Sequence, residues 1–177
     1  MENRRVRMTK QLIKEAFLEL LEQMPLEKLT VTHICRAADV NRSTFYAHYE
    51  DTGQLLREIE DDLLAQLPAA EGPPLGSERF LDALEAFFDY VRQRERLFRI
   101  LLVHRDGGGF SQRLIAAVMA AYPTEGSPGG LPERYAYVFC ISGVIGMLRQ
   151  WIEGRFPLTS REFARLALSL SAGAMGQ

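Results

Sequence analysis

Cysteine is scarce in this sequence: among 177 residues only Cys35 and Cys140 occur. They stand far apart in apolar helical contexts, and neither has a second cysteine or a histidine at metal-ligand spacing. That speaks against zinc, and both read as small core residues in a reducing compartment. Net charge is also nearly absent, at −2. Bulk charge therefore does not announce a nucleic-acid partner. Long hydrophobic runs are missing: the most apolar stretch, 136–148, falls short of the roughly 20 residues that a membrane span needs. The N-terminus lacks an apolar segment followed by a cleavage site, so a cytoplasmic chain with no membrane partner is expected. There are no paired catalytic carboxylates, no nucleophile beside a base and no phosphate-cradling glycine loop, and no cofactor is called for. Gly107-Gly108-Gly109 follows a short helix rather than a strand, so it reads as a hinge. No segment alternates at period two, which excludes a sheet and leaves an all-α protein of about nine helices.

What is present is distributed unevenly. Residues 1–14 hold Arg4, Arg5, Arg7, Lys10 and Lys14 against Glu2 alone, whereas from residue 50 onward 13 basic residues face 17 acidic ones. A basic start on an acidic chain suggests DNA contact at one end, although a solvated basic tail has the same composition. The first helix is expected over 9–23, on the stripe Ile13, Ala16, Phe17, Leu20, Leu21 and Met24, and Pro25 ends it. Leu26 to Leu29 reads as a linker. Thr30 caps a second helix over 31–38, and Asn41 caps a third over 42–49. Asp51 and Gln54 resemble a capping box opening a fourth, to about residue 67. The Pro-, Gly- and Ala-rich stretch 68–76 is the expected boundary between two domains, 1–67 and 77–177. Ser77 caps the fifth helix. A short one over 95–102, a seventh bearing Phe110, an eighth over 132–153 and a ninth opened by the Thr159–Glu162 box complete the chain.

The informative stretch is 30–49. Two short helices meet at a three-residue turn, Asp39-Val40-Asn41. Val31, Ile34 and Ala38 share one face of the first, and Phe45 and Tyr49 share one face of the second. That pattern buries a small core between two steeply crossed helices. The opposite face of the second shows Arg42, Ser43, Thr44, Ala47 and His48, which are short or cationic and mostly donors. A major groove about 12 Å wide admits such a helix.

Here the sequence resembles the tetracycline-repressor (TetR) family of bacterial regulators. The resemblance rests on Thr30-Val31, Ile34, Ala37-Ala38, Val40, Ser43-Thr44-Phe45-Tyr46, His48-Tyr49 and Leu55-Leu56; the stretch 143–153 is similar to one subgroup's TetR-like C-terminal domain. It implies a sequence-specific DNA-binding regulator, a repressor released by a small-molecule effector, that binds double-stranded operator DNA as a homodimer. Carried over by position, Thr32 and Arg36 lie near the DNA, Arg42, Ser43 and Thr44 face base edges, and Tyr46 and His48 hold phosphates. Two positions depart from the family. Asp39 stands where glycine is usual, and Asp tolerates left-handed backbone better than most residues. Thr52 stands where lysine is usual. Its hydroxyl and the amides of Gly53 and Gln54 are expected to take that phosphate instead.

In the second domain the eighth helix is apolar on more than one side. One face can pack on its own domain and another on a partner, with small residues allowing close approach. The expected dimer interface is Gly143, Val144, Gly146 and Met147, with Leu166 and Leu170 of the ninth helix. The candidate ligand pocket is Phe87, Phe88, Phe98, His104, Phe110, Tyr122, Phe139 and Trp151, although aromatic stripes at helical spacing are equally the mark of plain core. The alternative function is a dimeric small-molecule-binding or interaction module with weak or no DNA binding.

Overall fold

The computed structural model describes residues 4–68, 77–104, 109–121 and 130–175. Among these residues there are nine α-helices, one 3₁₀ turn, one π-helical segment and no strand. The chain divides into two compact units, Met1–Ala65 and Gln66–Gln177.

In the first unit, α1 spans Arg4–Gln23 and buries Ile13, Ala16, Phe17, Leu18 and Leu21. It starts five residues earlier than the apolar stripe implies, because Arg4, Arg5, Arg7 and Met8 are good helix formers. Leu18 is buried whereas Leu20 is only half-buried. The expected linker after Pro25 is a 3₁₀ turn, Leu26–Lys28. Then come α2 (Val31–Ala37), α3 (Arg42–Tyr46) and α4 (Thr52–Ala65), which buries Leu55, Leu56, Ile59 and Leu63. Helix α3 ends three residues before the expected Tyr49. His48 N–H bonds only three residues back, to the Phe45 carbonyl at 2.9 Å, as in a closing turn.

In the second unit, Ser77 caps α5 (Glu78–Gln93) by accepting from the Phe80 N–H at 3.2 Å. The single short helix expected over 95–102 is instead α6 (Glu95–Phe98) followed by a π-helical segment, Arg99–His104. A tertiary anchor accompanies the change of winding: the Arg99 guanidinium donates to Glu95 and to the Ile152 carbonyl, both at 2.6 Å. Helices α7 (Gly109–Ala121), α8 (Gly130–Glu153) and α9 (Ser160–Met175) follow. The Thr159–Glu162 capping box forms as read, with Thr159 N–H donating to the Glu162 carboxylate at 2.8 Å and Glu162 N–H to Thr159 Oγ1 at 3.3 Å.

The second core is aromatic. Trp151 and Phe163 stack at 4.5 Å with 3° between planes, and Phe88 meets Phe163 edge-on at 4.7 Å. The α5–α9 contact is rimmed by Arg161, which pairs with Asp82 and Glu85 at 3.2 and 2.5 Å. Cys35 is buried as expected, but Cys140 is half-exposed, its thiol 3.8 Å from the Ser171 carbonyl. The apolar part of α8 is longer than the sequence suggests. Over Tyr135–Glu153 it is long and apolar enough, by length and composition only, to cross a membrane, a test that the core helix of a globular protein also passes. The helix extends beyond the 136–148 stretch, through Arg149 and Gln150 to Trp151 and Ile152, which are buried at 3% and 0% exposure. That end is core of the second unit.

Candidate nucleic-acid interface

The helix pair at the centre of the first unit is set by its caps. Thr30 Oγ1 accepts from the His33 N–H, and His33 Nδ1 accepts from the Thr30 N–H, both at 3.3 Å. This is a capping box with histidine in the place usually held by Glu or Gln. Helix α2 ends in a Schellman turn: Val40 N–H reaches back to the Cys35 carbonyl at 3.0 Å, and Asp39 takes the left-handed position with φ 51°. Aspartate thus does there what glycine usually does. The turn drops Phe45 and Tyr49 into the core at 0% and 1% exposure and leaves the other face of α3 outward.

On that outward face the residues expected to touch DNA fall as follows. Thr32 and Arg36 are exposed on α2. Arg42, Ser43 and Tyr46 are exposed on α3, Thr44 is half-buried there, and His48 and Thr52 lie beyond its end, both half-buried. Tyr46 lies 49% exposed beside Arg42, whose guanidinium is 3.5 Å from the Tyr46 hydroxyl. That hydrogen bond raises the Arg42 pKa further, so the cation is permanent.

Two expectations need correction. Ser43 and Thr44 read as outward donors in the sequence, but their hydroxyls already donate to Asn41 Oδ1, at 2.6 and 2.8 Å. The Gln54 amide, expected to serve a phosphate, instead donates to Asp51 Oδ1 at 2.6 Å, while the Gln54 side chain accepts from the Glu50 N–H at 2.6 Å. A carboxylate therefore caps α4, and only the Thr52–Gly53 part of the expected phosphate slot keeps its assignment.

Residue-by-residue reading misses a polar clamp. Lys10 of α1 reaches Glu58 of α4 at 2.9 Å, Lys14 reaches Glu58 at 2.7 Å and Asp62 at 2.5 Å, and Tyr49 Oη donates to Glu58 at 3.1 Å. Lys10 also sits 5.5 Å from the Tyr49 ring centre. Burial works to raise the Glu58 carboxyl, but hydrogen bonds from Lys14 and Lys10 and their charges outweigh it and hold it low. Burial likewise opposes the Lys14 charge, and Asp62 and Glu58 overcome it, so its pKa is raised. The signal is present as a basic i, i+4 pair, Lys10 and Lys14, on one helix and an acidic one, Glu58 and Asp62, on the other. Because the contacts advance by four residues on both helices, α1 and α4 run in the same direction. Arg4 and Thr52 each precede the Lys10–Glu58 pair by six residues, roughly 9 Å of helix. The basic first turn of α1 and the start of α4 thus share one end of the unit.

In the second unit the eight candidate pocket residues separate. Phe88 and Trp151 belong to the stacked core, and Phe98 and Phe110 form another contact at 6.1 Å. Phe87 is half-buried against Phe88, His104 is exposed and Phe139 is 68% exposed. Tyr122 lies outside the described residues. Of the interface candidates, Gly143, Gly146, Leu166 and Leu170 are exposed, and Val144 and Met147 are half-buried.

The sequence profile of bacterial regulatory proteins, tetR family, matches residues 13–59. A Haemophilus influenzae HTH-type transcriptional regulator is 27% identical over 106 residues, covering 57% of this chain and 51% of the relative. The match thus spans about half the length of that relative. The crystal structure of a TetR transcriptional regulator from Streptococcus agalactiae is similar over 95% of this chain and 96% of its own, with TM-score 0.75 and 28% identity. A tetR-family regulator from Streptomyces coelicolor shares the fold at TM-score 0.59 and 19% identity, over 94% of this chain and 82% of its own. The match over the helix-turn-helix and the likeness across both units agree: residues 13–59 are similar to the tetR family of bacterial regulatory proteins, and both units are similar in fold to a TetR transcriptional regulator.

Proposed function

We propose that the chain is a homodimeric transcriptional regulator that binds a palindromic operator through α2 and α3, and a repressor that a small-molecule effector releases. One observation carries the DNA reading. A short helix is held by a Schellman turn over a fully buried Phe45, and its outward face bears Arg42, Ser43, Thr44 and Tyr46. Arg42 is read as a base contact, Ser43 and Thr44 as base-edge contacts, and Tyr46, His48 and Thr52 as phosphate contacts, with Thr32 and Arg36 nearby. The end of the unit that Arg4, Arg5 and Arg7 share with the start of α4 supplies the positive field that duplex DNA requires. Acting on chromosomal DNA puts the protein in the cytoplasm, and its role is regulatory rather than enzymatic.

The apolar surface of α8 and α9 supports the homodimer. Tyr135, Phe139 and Leu170 are more than half exposed, and only 22% of the apolar window of α8 is buried within one chain. The effector reading rests on the second unit, where Phe87 and the π-helical segment adjoin the aromatic core. Such local changes of helical winding occur frequently at functional sites.

The test is binding to duplexes from the region upstream of the protein's own gene, beside random duplexes, with Arg42→Ala. Loss confined to the specific duplex, roughly 10- to 100-fold, is expected if Arg42 grips a guanine. Equal loss on both makes Arg42 a phosphate contact. The second reading, a dimeric module with weak DNA binding, is favoured by the Asp51 carboxylate at the start of α4. Absence of any binding at low salt by an intact dimer would select it.

A further inference from the structure

We propose that Asn41 sets the base preference of α3 by turning Ser43 and Thr44 into hydrogen-bond acceptors that read exocyclic amino groups, cytosine N4 or adenine N6, in the major groove. The inference rests on the DNA-binding reading above and deepens it.

The orientation of one amide is fixed. The Thr44 backbone N–H lies 2.7 Å from Asn41 Oδ1. A backbone N–H can only donate, so the carboxamide oxygen faces the helix and Nδ2 faces away. The same oxygen lies 2.6 Å from Ser43 Oγ and 2.8 Å from Thr44 Oγ1. A carbonyl oxygen brings no hydrogen to either contact. Each hydroxyl must therefore supply its proton, and it has only one. What Ser43 and Thr44 turn outward is lone pairs.

This decides which chemistry they fit. Phosphate oxygens, guanine O6 and N7, adenine N7 and thymine O4 are all acceptors, and an outward lone pair meets them unfavourably. Cytosine N4 and adenine N6 are the donors of the major groove. A free serine or threonine serves either class, because its hydroxyl turns to suit its neighbour. Here Asn41 removes that choice without touching a base through its oxygen. Arg42, which precedes both in the chain, offers only donors. The segment Asn41–Thr44 thus combines two polarities: a guanidinium suited to guanine, followed by acceptors suited to amino-bearing bases.

Three proteins and modified duplexes test it. Wild type, Asn41→Gly and Asn41→Asp are each used to select sites from a random duplex library. Glycine is a tolerated helix cap with no side-chain acceptor, so α3 persists while both hydroxyls are released. Aspartate keeps an acceptor at the same place and lacks Nδ2. Wild type is expected to select cytosine or adenine at two half-site positions. Asn41→Asp keeps that preference at lower overall affinity, and Asn41→Gly flattens it. In the selected site, adenine is then replaced by purine, or cytosine by 2-pyrimidinone, to delete the amino group. This should weaken wild type roughly 2- to 10-fold per position, the range of one net hydrogen bond, and leave Asn41→Gly unaffected. The assignment is overturned if wild type prefers guanine or thymine at these positions. It is equally overturned if Asn41→Gly keeps the wild-type preference, or if Asn41→Asp loses it, which would make Nδ2 the reader. Wild type binding no duplex at all would sink the DNA-binding reading together with this one.

Discussion

Three donors converge on the carboxylate of Glu58: the ammonium groups of Lys10 and Lys14 and the hydroxyl of Tyr49. Tyr49 closes the turn after α3, so its side chain ties that turn to both α1 and α4. The pair is partly screened, since the side chains of Lys14 and Glu58 keep 18% and 30% of their surface in water. Replacing Glu58 with Gln should cost about 1–2 kcal/mol at pH 7, a hydrogen-bonded charge discounted for exposure. The pH dependence has a definite sign. A carboxyl whose folded pKa is depressed stabilises above its ordinary range near 4 and loses that contribution as pH falls through the lowered value. Lys14, raised when folded, stabilises below about 10.4 and loses its contribution as pH rises through the higher value. Thermal unfolding of wild type and Glu58→Gln at pH 7 and at pH 3 should therefore show a gap that shrinks in acid. A gap of constant size would mean that Glu58 acts through packing alone.

At the scale of elements, the helices are legible in the sequence wherever a cap announces them. Thr30, Asn41, Ser77 and Thr159 all cap as read, because a cap is a local device and its signal lies within three or four residues. Where tertiary contacts decide, the sequence is silent. The segment after Glu95 reads as one amphipathic helix, and nothing local shows that Arg99 will reach the Ile152 carbonyl across the fold. The exposed face of α3 is legible because burying Phe45 and Tyr49 leaves one outward side. The polarity of its hydroxyls is not, since it depends on where Asn41 turns its oxygen. The aromatic pocket is illegible for a different reason: core and pocket share the same spacing. The parallel run of α1 and α4 is also hidden, being written in two separate charge pairs. It yields a prediction for α1 as an element. If its first turn lies along the DNA backbone, Arg4→Ala with Arg7→Ala should flatten the plot of log K against log salt by about 0.9 for each phosphate no longer neutralised. The change should be equal on specific and random duplexes, because phosphates carry no sequence. A salt titration with an unchanged slope would put the first turn of α1 away from the backbone.

For the whole molecule the open question is what covers α8 and α9. A helix apolar on several sides must bury more than one face, and one chain buries only part of this one. Tyr135, Val138, Phe139, Leu166 and Leu170 stay exposed, and Gly143 and Gly146 leave room for a second backbone to approach. Gly146 tests whether a second copy of the chain covers this face. A Cβ built there meets nothing within 4 Å in the single chain. A larger side chain is therefore accommodated by the fold of one protomer and obstructs only a partner seated on that face. Gly146→Leu should leave the helical content of the chain intact. It should weaken self-association by the ~1–3 kcal/mol typical of overpacking, roughly a 10- to 100-fold rise in dimer dissociation constant. A regulator with two half-sites about 34–36 Å apart needs both protomers, so operator affinity should fall with it while binding of one unit to a single half-site persists. Sedimentation velocity across a concentration series reads the first effect, and titration of full and half operators reads the second. A wild type that sediments as a monomer, or a Gly146→Leu dimer as tight as wild type, would remove this face of α8 from the interface.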